Sequence, residues 1–358
     1  MKRLLILVAA LCMGLNACST QHYTGKTGKE EVVLPAAPAS QKMARHVILM
    51  IGDGMGPEHV WAAWLANGGK LHMTSLPVTG FSVTSSASHL ITDSAAGGTA
   101  LACGCKAVNK HLGLDAAGSP VDSLAVHMRR AGKATGLVVT KSITDATPAA
   151  FYAHVQSRYD TDAIAEALVT AGFEVLAGGG AADFTPEQRA ALEKECRLLD
   201  LAAPGSCAAA AERGDWLPQR VKQALQTLEK DEDGFFLMVE GSKIDTEAHV
   251  NNLSGVVQET LDFDRAVGVV LQWMTSHPDT LLVVTADHQT GGLSLLGGDR
   301  VKGEVQAHFS THHHSGIAVP VFAAGAGADL FAGVQENTAL APKIRQAAGL
   351  GATSYTSK

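Results

Sequence analysis

The sequence predicts an α/β fold, a three-layer sandwich in which helices flank a central, largely parallel sheet. Three observations carry this. Apolar runs of strand length, at residues 46–51, 235–239 and 280–286, lack the alternation of half-buried strands and suit strands covered on both faces. Helix-like segments separate the runs, as the crossovers of a parallel sheet require. Acidic residues or histidines close three of the runs, at Asp53, Glu240 and Asp287 with His288. The carboxyl ends of strands are where open α/β sheets bind ligands.

The chain has 358 residues, 46% hydrophobic and 18% charged, a globular composition with material for a large core. Length alone allows two domains, but the alternation of elements runs without a break and makes residues 45–358 one domain. Lys and Arg number 28 against 35 Asp and Glu, a net charge of −7, and nothing in that balance implies a nucleic-acid partner.

The N-terminus carries an address. Lys2 and Arg3 precede an apolar stretch from Leu4 to Leu11 that is too short to span a bilayer, so residues 1–17 read as a signal peptide. Leu15-Asn16-Ala17-Cys18 resembles a bacterial lipoprotein cleavage box, with Asn16 an imperfect fit, and makes Cys18 the lipidation site. The expected location is outside the cytoplasm, periplasmic or at the outer membrane, with a lipid as the sole membrane attachment. Residues 18–44 are polar, contain Gly25, Gly28, Pro35 and Pro38, and suit a flexible tether. Cys103 and Cys105 diverge along a helix and read as buried packing, whereas Cys196 and Cys207 could pair in an oxidising compartment.

Along the domain, the first strand ends in Gly52-Asp53-Gly54-Met55-Gly56, where Asp53 is a turn former or a metal ligand. Thr92-Asp93-Ser94 then leads into small residues and an apolar segment, a helix start with a hydroxyl beside a carboxylate. The helix's orphan N–H groups and positive dipole end favour an oxyanion there, and its Ala and Gly residues permit a close backbone approach. Residues 136–140 form another strand. Asp145 caps a helix with Pro148 early in it, and Arg158 follows. Residues 162–171, 186–199, 218–229 and 253–274 read as helices, and residues 173–176 as a strand. Asp245 and His249 are four apart, so one helical turn places both on one face, a spacing that suits a shared cation. His312-His313-His314 precedes a last strand at residues 319–322. Three strand ends closed by hard or borderline ligands point to a site for several metal ions.

The assembled motifs resemble the alkaline phosphatase family over about residues 45–325. They are Gly52-Asp53-Gly54-Met55-Gly56, Thr92-Asp93-Ser94-Ala95-Ala96, Asp145-Ala146-Thr147-Pro148-Ala149-Ala150, Glu240-Gly241 with Ile244-Asp245 and His249, and Thr285-Ala286-Asp287-His288. The resemblance implies a metal-dependent hydrolase of phosphate monoesters with the fold of that family. It makes Ser94 the nucleophile and Arg158 the clamp on phosphate. Asp245, His249 and His314 would hold one zinc. Asp53, Asp287 and His288 would hold a second. Asp53, Thr147 and Glu240 would hold a magnesium, with Asp145 orienting its waters and Asp93 behind the nucleophile. His314 is chosen among the three histidines because His-Ser-Gly before a strand fits the family spacing best. Two Zn²⁺ and one Mg²⁺ would also balance five neighbouring carboxylates that could not stay ionised together alone.

Two departures from the family pattern stand out. Thr246 follows Asp245 where family members often carry a basic or imidazole side chain, which implies weaker retention of phosphate. Little sequence lies between Gly180 and Asp233, so an accessory insertion is not expected and a homodimer is left open. The competing readings are a phosphodiesterase or sulfatase of the wider superfamily and a noncatalytic metal-binding lipoprotein. Ser94-Ala95-Ala96 lacks the Cys/Ser-x-Pro-x-Arg context of a sulfatase, a diesterase has less use for Arg158, and a binding protein has no use for Ser94.

Overall fold

The computed structural model describes residues 20–25 and 43–351. The expected signal peptide, the expected lipidation site Cys18 and most of the expected tether lie outside the described residues.

In chain order the strands are β1 (Gln21–Thr24), β2 (His46–Gly52), β3 (Val78–Val83), β4 (Ala134–Ser142), β5 (Val175–Gly179), β6 (Leu198–Leu201), β7 (Phe235–Gly241), β8 (Thr280–Thr285), β9 (Gln289–Thr290), β10 (Leu293–Asp299), β11 (Glu304–Phe309), β12 (His314–Ser315), β13 (Val319–Gly325) and β14 (Gly333–Glu336). The helices are α1 (Pro57–Ala66), α2 (Ser94–Cys103), α3 (Leu124–Arg130), α4 (Ala146–Ala149), α5 (Thr161–Ala171), α6 (Pro186–Glu195), α7 (Ala210–Arg213), α8 (Trp216–Leu228), α9 (Lys243–His249), α10 (Leu253–Met274) and α11 (Leu340–Ala347). A nine-stranded sheet in the order β14-β3-β13-β8-β2-β7-β4-β5-β6 forms the centre. Its strands share one direction except β13, which is antiparallel to both β3 and β8.

Alternate residues of each central strand face opposite cores, as period-two geometry demands. Val47, Leu49, Ile51, Phe236, Met238, Leu281 and Val283 pack with residues of α2, α3, α5 and α11. Ile48, Met50, Leu237, Val239, Leu282 and Val284 pack with residues of α1, α8 and α10. The expected three-layer sandwich follows from strands that are buried along their whole length. Among the described residues no helix is long and apolar enough to cross a membrane.

Three local expectations change. The segment read as helix at 186–199 ends at Glu195, because the backbone turns extended at Cys196 and residues 198–201 add an edge strand parallel to β5. Cys196 and Cys207 are free: Cys196 Sγ faces the Phe173 carbonyl, while the Cys207 N–H donates to the Thr140 carbonyl. The described part of the expected tether is not free chain. β1 pairs antiparallel with β11 at the edge of the three-stranded sheet β1-β11-β10, and half-buried Tyr23 joins a small core between that sheet, α1 and α10. Gln21 ties β1 to the segment that follows α9: its Nε2 donates to the Asn251 carbonyl (2.5 Å), and its Oε1 accepts from the Leu253 N–H (3.0 Å).

Candidate metal centre and nucleophile

Four adjacent parallel strands, β8, β2, β7 and β4, end on the same side of the sheet and bring their terminal residues together. Ile51 is in register with both Glu240 and Thr285, so Asp53, Glu240 and the Asp287–His288 pair emerge side by side. All four side chains are buried.

Ser94 sits above these ends as the first residue of α2. Asp93 is the cap, with Oδ1 accepting from the Ala96 N–H at 3.0 Å. Gly97 and Gly98 let the helix approach closely: a Cβ on Gly97 would lie 3.0 Å from the Asp287 carbonyl oxygen, and one on Gly98 would lie 3.2 Å from the Thr147 Cα. The Ser94 Oγ is thereby held 3.1 Å from the Nε2 of His288, buried at the N-terminal end of a helix dipole.

Two sets of ligand atoms converge beside it. Asp245, His249 and His314 form one, within 4.8 Å of one another. The two Nε2 atoms are 3.1 Å apart and lie 3.2 and 3.4 Å from Asp245 Oδ1. Each imidazole donates from Nδ1 to a carbonyl, His249 to that of His312 (2.6 Å) and His314 to that of Thr92 (2.8 Å), which leaves Nε2 free as a ligand. Within the histidine triplet, only His314 belongs to this set; His312 and His313 are exposed, and the His312 ring meets the His249 carbonyl instead. His314 is brought in by the short β9–β12 pairing, which sets it opposite Thr290.

The second set centres on His288. Its Nε2 lies 3.4 Å from Asp53 Oδ1 and 3.2 Å from Asp287 Oδ2, and Asp245 also falls within reach of Asp53 and His288. Among the described residues, Asp53 Oδ1, Asp287 Oδ2, Thr147 Oγ1 and both Glu240 oxygens are buried without a hydrogen-bond partner. Buried polar atoms left unpaired are costly, and their concentration around one point fits cation binding. Imidazole with carboxylate suits zinc, and the all-oxygen group of Asp53, Thr147 and Glu240 suits magnesium.

The electrostatics agree with that fit. Burial drives Asp53 well above the usual carboxylate range, with Asp245 and Asp287 adding repulsion. Burial, then the charge of Asp145, raises Glu240 to about 8, and burial raises Asp287 to about 6. Asp245 goes the other way: burial opposes its ionisation, but hydrogen bonds from His249 and His314 and the charge of Lys141 hold it well below the usual range. Burial pushes His288 far down, which keeps its imidazole neutral, the form that can bind a cation. Burial thus drives Asp53, Glu240 and Asp287 toward protonation, a cost that bound cations relieve.

Arg158 reaches the same place. Its Nη2 donates to Asp145 Oδ1 at 3.0 Å, and its Nη1 is 3.8 Å from Oδ2 of Asp93, the residue before Ser94, so two carboxylates aim the guanidinium. Asp145 also caps α4, accepting from the Ala146 N–H at 2.8 Å and so placing Thr147 one residue into the helix.

Two residues at the site were not legible as site residues in the sequence. Thr290 donates to Asp245 Oδ1 (2.6 Å) and lies 3.2 Å from His288 Nδ1. A hydroxyl has one proton, so Thr290 accepts from Nδ1–H, and this chain joins the two ligand sets. Lys141, at the end of β4, places Nζ 3.4 Å from Asp245, 3.5 Å from Asp53 and 3.6 Å from Asp145. A lysine four residues before Asp145 was the available signal.

Fold and site together define a class of α/β protein in which acidic and histidine side chains at the strand ends, arranged as metal ions require, gather beside a serine at a helix start. Comparison with known proteins narrows it. The family model for alkaline phosphatase matches residues 44–200 and 193–308. The chain is 36% identical over 288 residues to alkaline phosphatase 4 of Bacillus subtilis, a match covering 70% of this chain and 62% of that protein. It is 33% identical to streptomycin-6-phosphate phosphatase of Streptomyces griseus, covering 90% of this chain and 96% of that one. Its fold is similar to the alkaline phosphatase of the Antarctic bacterium TAB5, with a TM-score of 0.82, 32% identity, and coverage of 87% and 99%. A variant of the TAB5 enzyme has Mg bound in its M3 site. The chain belongs to the alkaline phosphatase family, and its clusters of acidic and histidine side chains are metal sites of the kind that family carries.

Proposed function

We propose that the protein hydrolyses phosphate monoesters to an alcohol and inorganic phosphate through a phosphoserine on Ser94. The observation that carries this is the Ser94 Oγ, 3.1 Å from buried His288 and next in the chain to Asp93, whose carboxylate lies 3.8 Å from the Arg158 guanidinium. Asp245, His249 and His314 would hold one zinc, Asp53, Asp287 and His288 a second, and Asp53, Thr147 and Glu240 a magnesium. When bound, the ions supply Lewis acidity that favours an ionised serine and offsets charge on the leaving oxygen.

The chain's own residues do the rest. Arg158 binds two nonbridging oxygens with its planar fork and orients phosphorus toward Ser94. The Ser94 Oγ forms a bond to phosphorus as the bond to the alcohol oxygen breaks, and the alcohol departs after taking up a proton. A water oxygen then adds to phosphorus, the bond to Ser94 breaks, the serine regains its proton and inorganic phosphate leaves. The N–H groups at the start of α2 favour the anion throughout. A diester offers the fork one charged oxygen fewer, so the reading is a monoesterase.

The N-terminal sequence supports export and a lipid on Cys18, and hence phosphate scavenging from the periplasm or the outer membrane. The two-residue gap between Cys18 and the docked strand β1 favours a catalytic domain held close to the membrane. A homodimer stays open to measurement by light scattering.

The test is a phosphoenzyme trap. With zinc and magnesium supplied, acid quenching after incubation with radiolabelled phosphate should leave label on Ser94. Ser94→Ala should keep its metals and lose both label and monoester turnover. Label on another residue, or parent-like turnover in Ser94→Ala, would remove Ser94 from the reaction.

A further inference from the structure

Thr246 leaves this chain without the basic or imidazole side chain that often follows the Asp245 position in its family. The structure puts a cation in the same neighbourhood from another element. Lys141 leaves the end of β4, its side chain only 16% exposed, and its Nζ sits among Asp53, Asp145 and Asp245 at 3.4 to 3.6 Å. Asp145 divides its two oxygens between two cations: Oδ1 accepts from Arg158 and Oδ2 faces Lys141. One carboxylate therefore spaces an ammonium and a guanidinium around the place where phosphate binds in the reading above. As a plain counter-ion Lys141 would be superfluous once the metals are bound, because three divalent cations already outweigh five carboxylates. Its charge is then left for an anionic ligand.

We propose that Lys141 is a phosphate-holding residue of this enzyme, supplying from β4 the positive charge that Thr246 does not supply from α9. It acts beside Arg158, directly or through an ordered water, on substrate phosphate and on product phosphate alike. The expected weak retention of phosphate is thereby reversed. The inference rests on the assignment of Arg158 and the metal sets to the phosphate site.

Equilibrium dialysis with radiolabelled inorganic phosphate tests it on the zinc- and magnesium-loaded protein, with metal content per chain measured by emission spectroscopy. Lys141→Met keeps length and removes charge; it should bind phosphate about tenfold more weakly with metal content unchanged, the scale of one charge-assisted contact. Lys141→Arg should stay near the parent. Adding Thr246→Lys to Lys141→Met returns an ammonium from α9 and should recover most of the binding. Unchanged phosphate binding in Lys141→Met overturns the proposal. So does a loss of zinc or magnesium from that variant, because the ammonium would then be a counter-ion of the ligand sets. Weakened binding that neither Lys141→Arg nor Thr246→Lys restores would make the effect structural and overturn it too. Arg158→Ala, run alongside, separates the two levels: if it leaves phosphate binding unchanged the site assignment itself fails, and if it alone weakens binding only the role of Lys141 fails.

Discussion

Thr290→Val should weaken zinc binding at both ligand sets at once. The substitution keeps the branched shape and removes the hydroxyl. In the parent that hydroxyl donates to Asp245 Oδ1 at 2.6 Å and lies 3.2 Å from His288 Nδ1. Thr290 and His288 are fully buried and Asp245 nearly so, leaving water no access to replace the lost partner. The Nδ1–H of His288 then has no acceptor, and the pull that selects the tautomer with a free Nε2 is gone. Asp245 also loses one of the hydrogen bonds that favour its ionised form. A buried group left unpaired costs about 1–3 kcal/mol, and loss of a partner behind a metal ligand typically costs about 10–100-fold in metal affinity. The backbone role of Thr290 survives, because its N–H still donates to the Gly54 carbonyl and β9 still pairs with β12. Competition with a chromophoric chelator at fixed pH reads zinc affinity without reference to turnover. Thr290→Ser restores the hydroxyl and should stay within a few-fold of the parent. Parent-like zinc affinity in Thr290→Val, or an equal loss in Thr290→Ser, would refute the reasoning.

Three further outcomes are expected. Arg158→Ser should lower monoester kcat/KM by about 10–100-fold while leaving diester turnover nearly unchanged, and Arg158→Lys should restore only part of the loss; equal losses on both substrates would remove the fork from the mechanism. His314→Ala should lose one zinc per chain, whereas His313→Ala should keep full stoichiometry by emission spectroscopy, and the reverse pattern would overturn the choice within the triplet. Above about pH 7, where the buried histidines His46, His59 and His288 are neutral in folded and unfolded chain alike, the metal-free protein should lose stability as pH rises. Folding raises Glu240 to about 8 and Asp287 to about 6, so protonation favours the fold; that stabilisation is complete below the ordinary carboxylate range and is lost as pH climbs through about 6 and then about 8. Metal loading should flatten the slope, since ions take the place of those protons. A metal-free Tm that climbs between pH 7 and 9 by calorimetry would count against the burial account of Glu240.

The parts of the site that could be read from the residue pattern alone share a physical cause, whereas the roles of Ser94, Thr147, Arg158 and His314 came through the family resemblance. A strand buried on both faces has few ways to end in an acidic residue, and the parallel sheet aligns such ends by register. Asp53, Glu240 and Asp287 were legible because each closes an apolar run, and Ile51 of β2 stands in register with Glu240 and Thr285. Asp245 and His249 were legible through the helical repeat that spaces them in α9. These signals are local, and the sheet converts them into proximity without further information.

The remainder depends on pairings that no local pattern encodes. Lys141 reads as a polar residue after a strand, and its charge enters the site only because β4 lies next to β7 and within one strand of β2. Thr290 lies in a two-residue strand whose partner, His314, is distant in sequence, so neither its hydroxyl nor its bond to Asp245 could be foreseen. The same limit applies to β1: a segment rich in polar residues, glycine and proline suggests a free tether, yet four residues gain order by completing the edge of a sheet formed much later in the chain. In this site the acidic strand ends and the Asp245–His249 pair follow from strand and helix periodicity, while Thr290, which links the two sets, and Lys141, which brings charge to them, come from long-range contacts. Substitutions at Thr290 and Lys141 should therefore alter affinity for metal or phosphate while leaving the ligand sets themselves in place. That separation lets the two variants distinguish building the metal centre from tuning it.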